Sequence, residues 1–306
     1  MQSLVTASPI SSLSTTSVQK FVWESLCGED LTLLAESDLA SPLLAEIAHG
    51  HLVNGVKVCT SSLYADVGLL LGIYILSSHR PDLVGYAVNV QHMQVYKPLI
   101  LKDDASGVSI FTPFCIEVNY RVDTMMASMS IRSGGSHHDG PDTKHVDCGM
   151  CFKNSKDWGA EWDRQAYLIK RSIEYLENRA TQGLDSTLAT GMIFRVFSSL
   201  VDYHKDGFKG LREVVLHSEE LESTAKVRFR GPCGSFYCNP TWIDNCGQAT
   251  GFLMNCHQTT PRDYVYVNHG WKSMELARDF QEDTTYRTYI YMRPVDDTKF
   301  AGDLFI

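Results

Sequence analysis

The hydrophobic pattern of the chain switches between two periods. From Leu63 to Leu76 the apolar residues Leu63, Val67, Leu70, Leu71, Tyr74 and Ile75 recur at three and four positions. Their flanks are apolar too, which predicts a helix buried on all sides, with Ser61 or Ser62 capping its free N–H groups. Asp163–Arg179 reads as an amphipathic helix with Tyr167, Leu168, Ile173, Tyr175 and Leu176 on its apolar face. Thr187–Tyr203, with Phe194, Phe197, Leu200 and Val201, predicts another, and Ser41–His49 a short one stopped by Gly50. A helix is also expected over Ile243–Asn255. Stretches rich in Val, Tyr, Phe, Ile and Thr predict strands over Leu83–Gln94, Ser109–Tyr120 and Thr124–Ile131. Further strands are expected over Arg212–Leu216, Ala225–Arg230, Val265–Val267, Ser273–Ala277 and Arg287–Met292. Val18–Leu26 reads as a strand or helix edge, and Ser133–Val146, without periodicity, as a long loop. Both halves run in the same order: a polar signature, one buried helix, then several strands. That order predicts a duplicated α+β unit, divided into residues 1–158 and 159–306 with linking helices in the second part.

Composition narrows the picture. Of 306 residues, 44% are hydrophobic and 21% charged, enough for a substantial core. A net charge of −9 without a basic patch argues against nucleic acid and against an anionic membrane surface as partners. The longest apolar stretch, near Val67–Leu76, is interrupted by Gly68 and Gly72 and is expected to be too short to span a bilayer. The Ser/Thr-rich start lacks the pattern of a signal peptide, so a cytoplasmic location is expected. The strand-like end, Gly302–Ile306, suggests a piece excised from a larger protein. Nine cysteines, an odd number, read as free thiols in a reducing compartment. Cys148-Gly-Met-Cys151 supplies two metal ligands at best, and Cys233 and Cys238 lie far along the chain. The expectation is therefore a loop with incidental cysteines and no metal.

Two local constellations can carry chemistry. In His51-x-x-x-Gly55 an imidazole can take and return a proton near neutrality. Gly55 lacks a side chain, so its backbone N–H can approach a carbonyl oxygen. The same residues also read as ordinary turn chemistry. In Asp244-x-x-x-Gln248 the two side chains share a helix face one turn apart, and the amide can hold the carboxylate. Thr241-x-x-Asp244 also reads as a capping box. Two-fold-like packing of the halves would bring the constellations together. His137-His138-Asp139 reads as a solvated loop, and Gly231–Gly234 lacks the surroundings of a phosphate loop. No Gly-x-Ser-x-Gly elbow is present, which argues against a hydrolase-type cyclising thioesterase.

Gly50-His51-Leu52-Val53-Asn54-Gly55, followed by Ser61-Ser62-Leu63-Tyr64-Ala65-Asp66, resembles the first signature of product-template domains of fungal non-reducing polyketide synthases. Asn239-Pro240-Thr241-Trp242-Ile243-Asp244 and Gly251–Asn255 resemble the second, and Phe194–Tyr203 the helix between the halves. Val267-Asn268-His269-Gly270-Trp271 and Gly302-Asp303 match as well, so the resemblance runs over nearly the whole chain. It implies a double hot-dog fold, in which each half wraps a curved antiparallel sheet around one long helix. It also implies that His51 is the catalytic base and Asp244 its partner, with Gln248 and Asn268 in the polar network around them. The implied activity is regiospecific aldol cyclisation and dehydrative aromatisation of a poly-β-ketone. The implied substrate hangs on the phosphopantetheine of an acyl carrier protein, with no cofactor or metal bound by the domain itself. Implied partners are that carrier, the other domains of the same synthase and a second copy in a homodimer. Lys153, Lys156, Arg228 and Arg230 are candidate carrier contacts. The alternatives are a β-hydroxyacyl thioester dehydratase of the same fold and a non-catalytic double hot-dog scaffold. One position departs: the hot-dog dehydratase pattern has a proline five residues after the glycine, where this chain has Thr60.

Overall fold

The computed structural model describes residues 14–134, 141–231, 234–261, 265–276 and 278–306. His137-His138-Asp139, Cys233 and part of Gly231–Gly234 lie outside the described residues. The first half of the chain runs β1 (Lys20–Cys27), β2 (Asp30–Asp38), α1 (Pro42–Gly50), β3 (His51–Val53), β4 (Val56–Val58), α2 (Ser61–Tyr74), β5 (Tyr86–Val95), β6 (Ile100–Leu101), β7 (Pro113–Arg121), β8 (Met126–Ser133) and β9 (Thr143–Asn154). The second runs α3 (Ser155–Thr181), β10 (Ser186–Ala189), α4 (Thr190–Phe197), β11 (Val201–Tyr203), β12 (Leu211–Leu216), β13 (Glu222–Arg228), α5 (Pro240–Cys256), β14 (Gly270–Glu275), β15 (Thr285–Pro294) and β16 (Phe300–Phe305).

α2 is apolar around its whole circumference because it lies inside a sheet. The seven-stranded antiparallel sheet β1-β2-β7-β8-β9-β5-β14 holds it against β5 and β9. Leu63, Val67, Leu70 and Leu71 are all buried, each contributing about 2 kcal/mol by leaving water. Gly68 and Gly72 let β5 approach: a Cβ on Gly72 would stand 2.5 Å from Val88 Cγ1. The N-cap is Thr60, without a side-chain capping bond; Ser62 bonds to the Thr60 hydroxyl instead of capping. A π-helical turn, Ile75–His79, extends α2. The combined helix is, by length and composition, long enough to cross a membrane, contrary to the expectation from Val67–Leu76, but most of it is buried inside the fold.

The second sheet, β10-β12-β13-β15-β16, packs α5 against β12, β13, β15 and β16. The amphipathic α3 lies against strands of the same sheet, with Ile173 and Leu176 buried beside Val215 and Tyr289. Two strands of the second half cross to the first. β14 pairs with β5, and β11 adds to β3 in a small sheet β11-β3-β4-β6.

Several expected elements differ. The helix expected over Thr187–Tyr203 is three elements. Ser198 and Ser199 turn their hydroxyls back onto the carbonyls of Arg195 and Val196, ending α4. The chain then re-enters as β11. The expected loop Ser133–Val146 becomes β9 from Thr143. Val146, Cys148, Met150 and Phe152 alternate into the core, so the Cys-Gly sequence is strand, not loop. In a strand, residues three apart face opposite ways, so Cys148 and Cys151 do not converge on a metal. Val265–Val267 forms no strand; the Asn255 amide clasps the Tyr266 backbone in both directions.

Candidate active site

His51 begins β3 directly after α1. Gly50 is needed there because the Phe208 ring closes on the backbone: a Cβ would lie 2.6 Å from it. The His51 imidazole stands edge-on to Tyr203, with ring centres 5.5 Å apart, and 6.0 Å from Phe208. β11 puts Tyr203 directly opposite His51 in register. Tyr203 in turn packs on Phe194, Phe197 and Phe208, and Phe197 on Phe252, giving the imidazole an aromatic wall. His51 Nδ1 is buried and has no hydrogen-bond partner among the described residues.

Asp244 comes from α5. It does not cap the helix: the N-cap is Asn239, whose side chain accepts from Thr241 N, and Asp244 lies a turn further in. Its Oδ2 accepts from Gln248 Nε2 at 2.9 Å. Burial pushes the carboxyl upward from its usual range, against the lowering effects of nearby His51 and of the Gln248 hydrogen bond. Asp244 therefore holds its proton more tightly than a carboxyl in water. Its charge also acts on Tyr203, whose hydroxyl burial drives well above the usual phenol range.

The halves are joined at the turn Asp206–Phe208. Gln248 Nε2 also donates to Phe208 O at 2.8 Å. The fully buried Asn245 accepts from Gly210 N at 3.0 Å and donates to Gly207 O at 2.7 Å. The helix that bears Asp244 thus grips the turn that presses Phe208 against His51.

Gly55 sits at the exposed tip of the β3–β4 hairpin. Val53 pairs with Val56, and Asn54 and Gly55 both adopt positive φ, 50° and 77°. That is the requirement of a two-residue primed turn, so turn geometry alone accounts for the glycine. Asn268 is exposed and accepts from Gly270 N at 2.7 Å. Among the described residues no hydrogen bond joins Gly55 or Asn268 to His51, Asp244 or Gln248. Arg228 and Arg230 both pair with Asp283 at 3.1 Å, whereas Lys153 and Lys156 are exposed. Sequence reasoning missed Asn245, Phe208 and the partnership of Tyr203 with His51. Asn245 directly follows Asp244 in a buried stripe, which is a readable signal; the Tyr203 partnership depends on β11, where the sequence pattern predicts helix, and the place of Phe208 on the turn that α5 holds.

A cleft of about 430 Å³ is lined by Phe208 together with Glu46, Lys205, Arg230, Thr241 and Asp283 among others. His51 and Asp244 do not line it, and its mixed charge selects neither anions nor cations. No cluster of three or more His, Cys, Asp or Glu that could hold a metal occurs among the described residues. Burial pushes the Cys59 and Cys148 thiols up to about 12, which leaves them unreactive.

No family model matches the chain. It is 64% identical over 297 residues to the non-reducing polyketide synthase PKS12 of Gibberella zeae, and 49% identical over 295 residues to polyketide synthase 2 of Metarhizium guizhouense. These alignments cover 97% and 96% of the chain but only 14% and 13% of those synthases. The homologues are thus fungal polyketide synthases, and the chain matches one segment of them. Among solved structures, it resembles the dehydratase domain of the CurF module of the curacin polyketide synthase. That match has a TM-score of 0.63 and 12% identity, covering 95% of the chain and 93% of that domain. It also resembles a dehydratase domain of a mycocerosic acid synthase-like synthase, with a TM-score of 0.64 and 14% identity, covering 96% and 91%. The fold is a double hot-dog of the α+β class, as expected.

Proposed function

We propose that this chain, a segment homologous to fungal non-reducing polyketide synthases, is their product-template unit. In this reading it directs aldol cyclisation and dehydrative aromatisation of a poly-β-ketone carried on an acyl carrier protein. The observation that carries this reading is the placing of the His51 imidazole near a carboxyl, Asp244, that burial keeps protonated more readily than in water. A dehydratase would need a reduced β-hydroxyl, and a synthase that does not reduce its β-ketones supplies none. What it does supply is methylenes flanked by two carbonyls, acidic enough for a single imidazole.

His51 takes a proton from such a methylene. The resulting enolate carbon attacks a carbonyl farther along the chain, a C–C bond forms, and the carbonyl oxygen takes the proton of Asp244. The Asp244 carboxylate then takes a second proton from the same carbon, the protonated His51 gives its proton to the new hydroxyl, which departs as water, and with both groups restored enolisation completes the ring. No hydrogen bond links Asp244 to His51, so the carboxyl acts as proton donor in this scheme, not as the orienter of the imidazole. The supporting roles of Gln248, Gly55 and Asn268, the carrier contact, the homodimer and the division into 1–158 and 159–306 belong to the same proposal. That division falls in the first turn of α3. The test is to supply the chain with the loading, condensing and carrier parts of a synthase and identify products by mass spectrometry. The expected result is one aromatic product with wild type and a spread of pyrones with His51→Ala. An unchanged product from His51→Ala would leave the scaffold as the better reading.

A further inference from the structure

A glycine inside a helix costs stability relative to alanine. In α2 the reason is visible, because β5 occupies the space a Cβ would need at Gly68 and Gly72. In α5 it is not. A Cβ on Gly247 would meet nothing within 4 Å, and one on Gly251 only the edge of Phe197 at 3.9 Å. The fold itself leaves room for a methyl at both places, yet neither carries one.

At helical spacing, Asp244, Gly247, Gln248 and Gly251 lie along one face of α5. Gln248 is 4% exposed, and its Nε2 is engaged by Asp244 and Phe208. Its Oε1 is buried on that face without a partner. An acceptor kept dry and unmet calls for a donor from outside the chain. At its far end the face meets the loop that Asn255 clasps at Tyr266.

We propose that this face is the bed for the acyl chain beyond the reacting carbons. The two glycines give it depth over about 6 Å of helix, and Gln248 Oε1 accepts a hydrogen bond from an enol or hydroxyl of the chain. Its ligand class is a long acyl thioester bearing hydroxyl or enol groups. The inference rests on the functional reading above, and it makes the glycines determinants of which chain lengths are accepted.

The test separates binding from chemistry. Butanoyl, dodecanoyl and 3-hydroxydodecanoyl pantetheine are titrated against the full chain, wild type, Gly247→Ala/Gly251→Ala and Gly251→Leu, by calorimetry. Thermal unfolding is recorded alongside. The double alanine variant is expected to melt a few degrees higher, because each substitution relieves a helix cost without a clash. It should nonetheless bind the dodecanoyl ligands about tenfold or more weaker, with butanoyl unaffected, and Gly251→Leu should exaggerate the difference. Wild type should bind the 3-hydroxy form several-fold tighter than the unsubstituted one. A more stable double variant that binds long chains as wild type does would overturn the bed. A destabilised one would too, because the space would then be filled by protein. Equal binding of the two dodecanoyl ligands by wild type would remove Gln248 Oε1 from it. These ligands cannot cyclise, so the outcome stands apart from the product analysis: length-dependent binding without cyclisation would sink the function and leave the bed.

Discussion

At the scale of single residues, burial gives two carboxyls unusual proton affinities, and each makes a separate prediction. Asp244 is proposed to donate its proton to the new alkoxide, so kcat/KM should fall as pH rises through its raised value. Asp244→Asn should abolish that alkaline limb and leave a rate lower by about 10²–10⁴-fold, measured as product formed against pH. Asp66, on α2, is fully buried and pushed up to about 7, because burial outweighs its hydrogen bonds from Ser17 and the backbone N–H of Cys238. The unfolded chain releases this proton near pH 4 and the folded chain near 7, so between those values the folded state holds more protons. Stability should therefore fall with rising pH across that window, by on the order of 4 kcal/mol at most. In Asp66→Asn the amide can still meet both neighbours, and denaturant midpoints should lose this slope between pH 4 and 7. A slope as steep as that of wild type would show that Asp66 is not its source. The placing of His51 and Asp244 as chemically interesting was legible from residue type and spacing. The burial that raises the Asp244 carboxyl was not, because it depends on packing between elements far apart in sequence.

At the scale of elements, α5 does two jobs through adjacent residues, offering Asp244 to the site and holding the Asp206–Phe208 turn through Asn245. Asn245→Ala would leave Gly210 N–H and Gly207 C=O unmet in the interior, a loss of about 1–3 kcal/mol per group. Urea denaturation should register that loss. Cyclisation should fall as well, because Phe208 is released from His51. A variant with full stability and full activity would reject the clamp. The two central helices were legible in the sequence, α2 because it is apolar all round; α5, expected from Ile243, in fact begins at Pro240, where Asn239 caps it and proline is a natural first helical residue. The elements misread share one cause: their identity is decided by partners. β11 exists because β3 offers it an edge. β9 exists because its alternate residues fall into the core, under a Cys-Gly sequence that by itself signals a loop. The helical spacing of Phe194, Phe197 and Leu200 was real, but the hydroxyls of Ser198 and Ser199 cut it short.

At the scale of the whole molecule, the chain reads as two α+β halves, but the strands cross between them. β14 completes the sheet of the first half, and β11 completes the small sheet that carries His51. Residues 1–158 alone would expose the edges of β3 and β5, open edges that invite aggregation. The fragment should be insoluble or collapsed without fixed packing. The intact chain should unfold in one transition with equal calorimetric and van't Hoff enthalpies. Two resolved transitions, or a soluble fragment 1–158 with dispersed amide resonances, would contradict this. The repeated order of elements was visible in the sequence; the crossing was not, because the three-residue β11 leaves too short a pattern to read and β14, expected as a strand over Ser273–Ala277, carries no sign of its pairing with β5.

The pairing of Tyr203 with His51 has a consequence for how such a chain can change. Side chains alternate sides along a strand, so slipping β11 by one position would turn Tyr203 away from the imidazole and present a neighbour in its place. The segment Ser198–Leu200 sets that position by its length, while Ser198 and Ser199 themselves are exposed. Evolution is therefore held to the count of residues in this connection, and to hydroxyls that can turn back on the end of α4. A single inserted glycine between Ser199 and Leu200 should silence cyclisation and also lower the denaturation midpoint, because Tyr203 leaves its aromatic neighbours, while Ser199→Thr, which keeps the hydroxyl, should pass almost unnoticed.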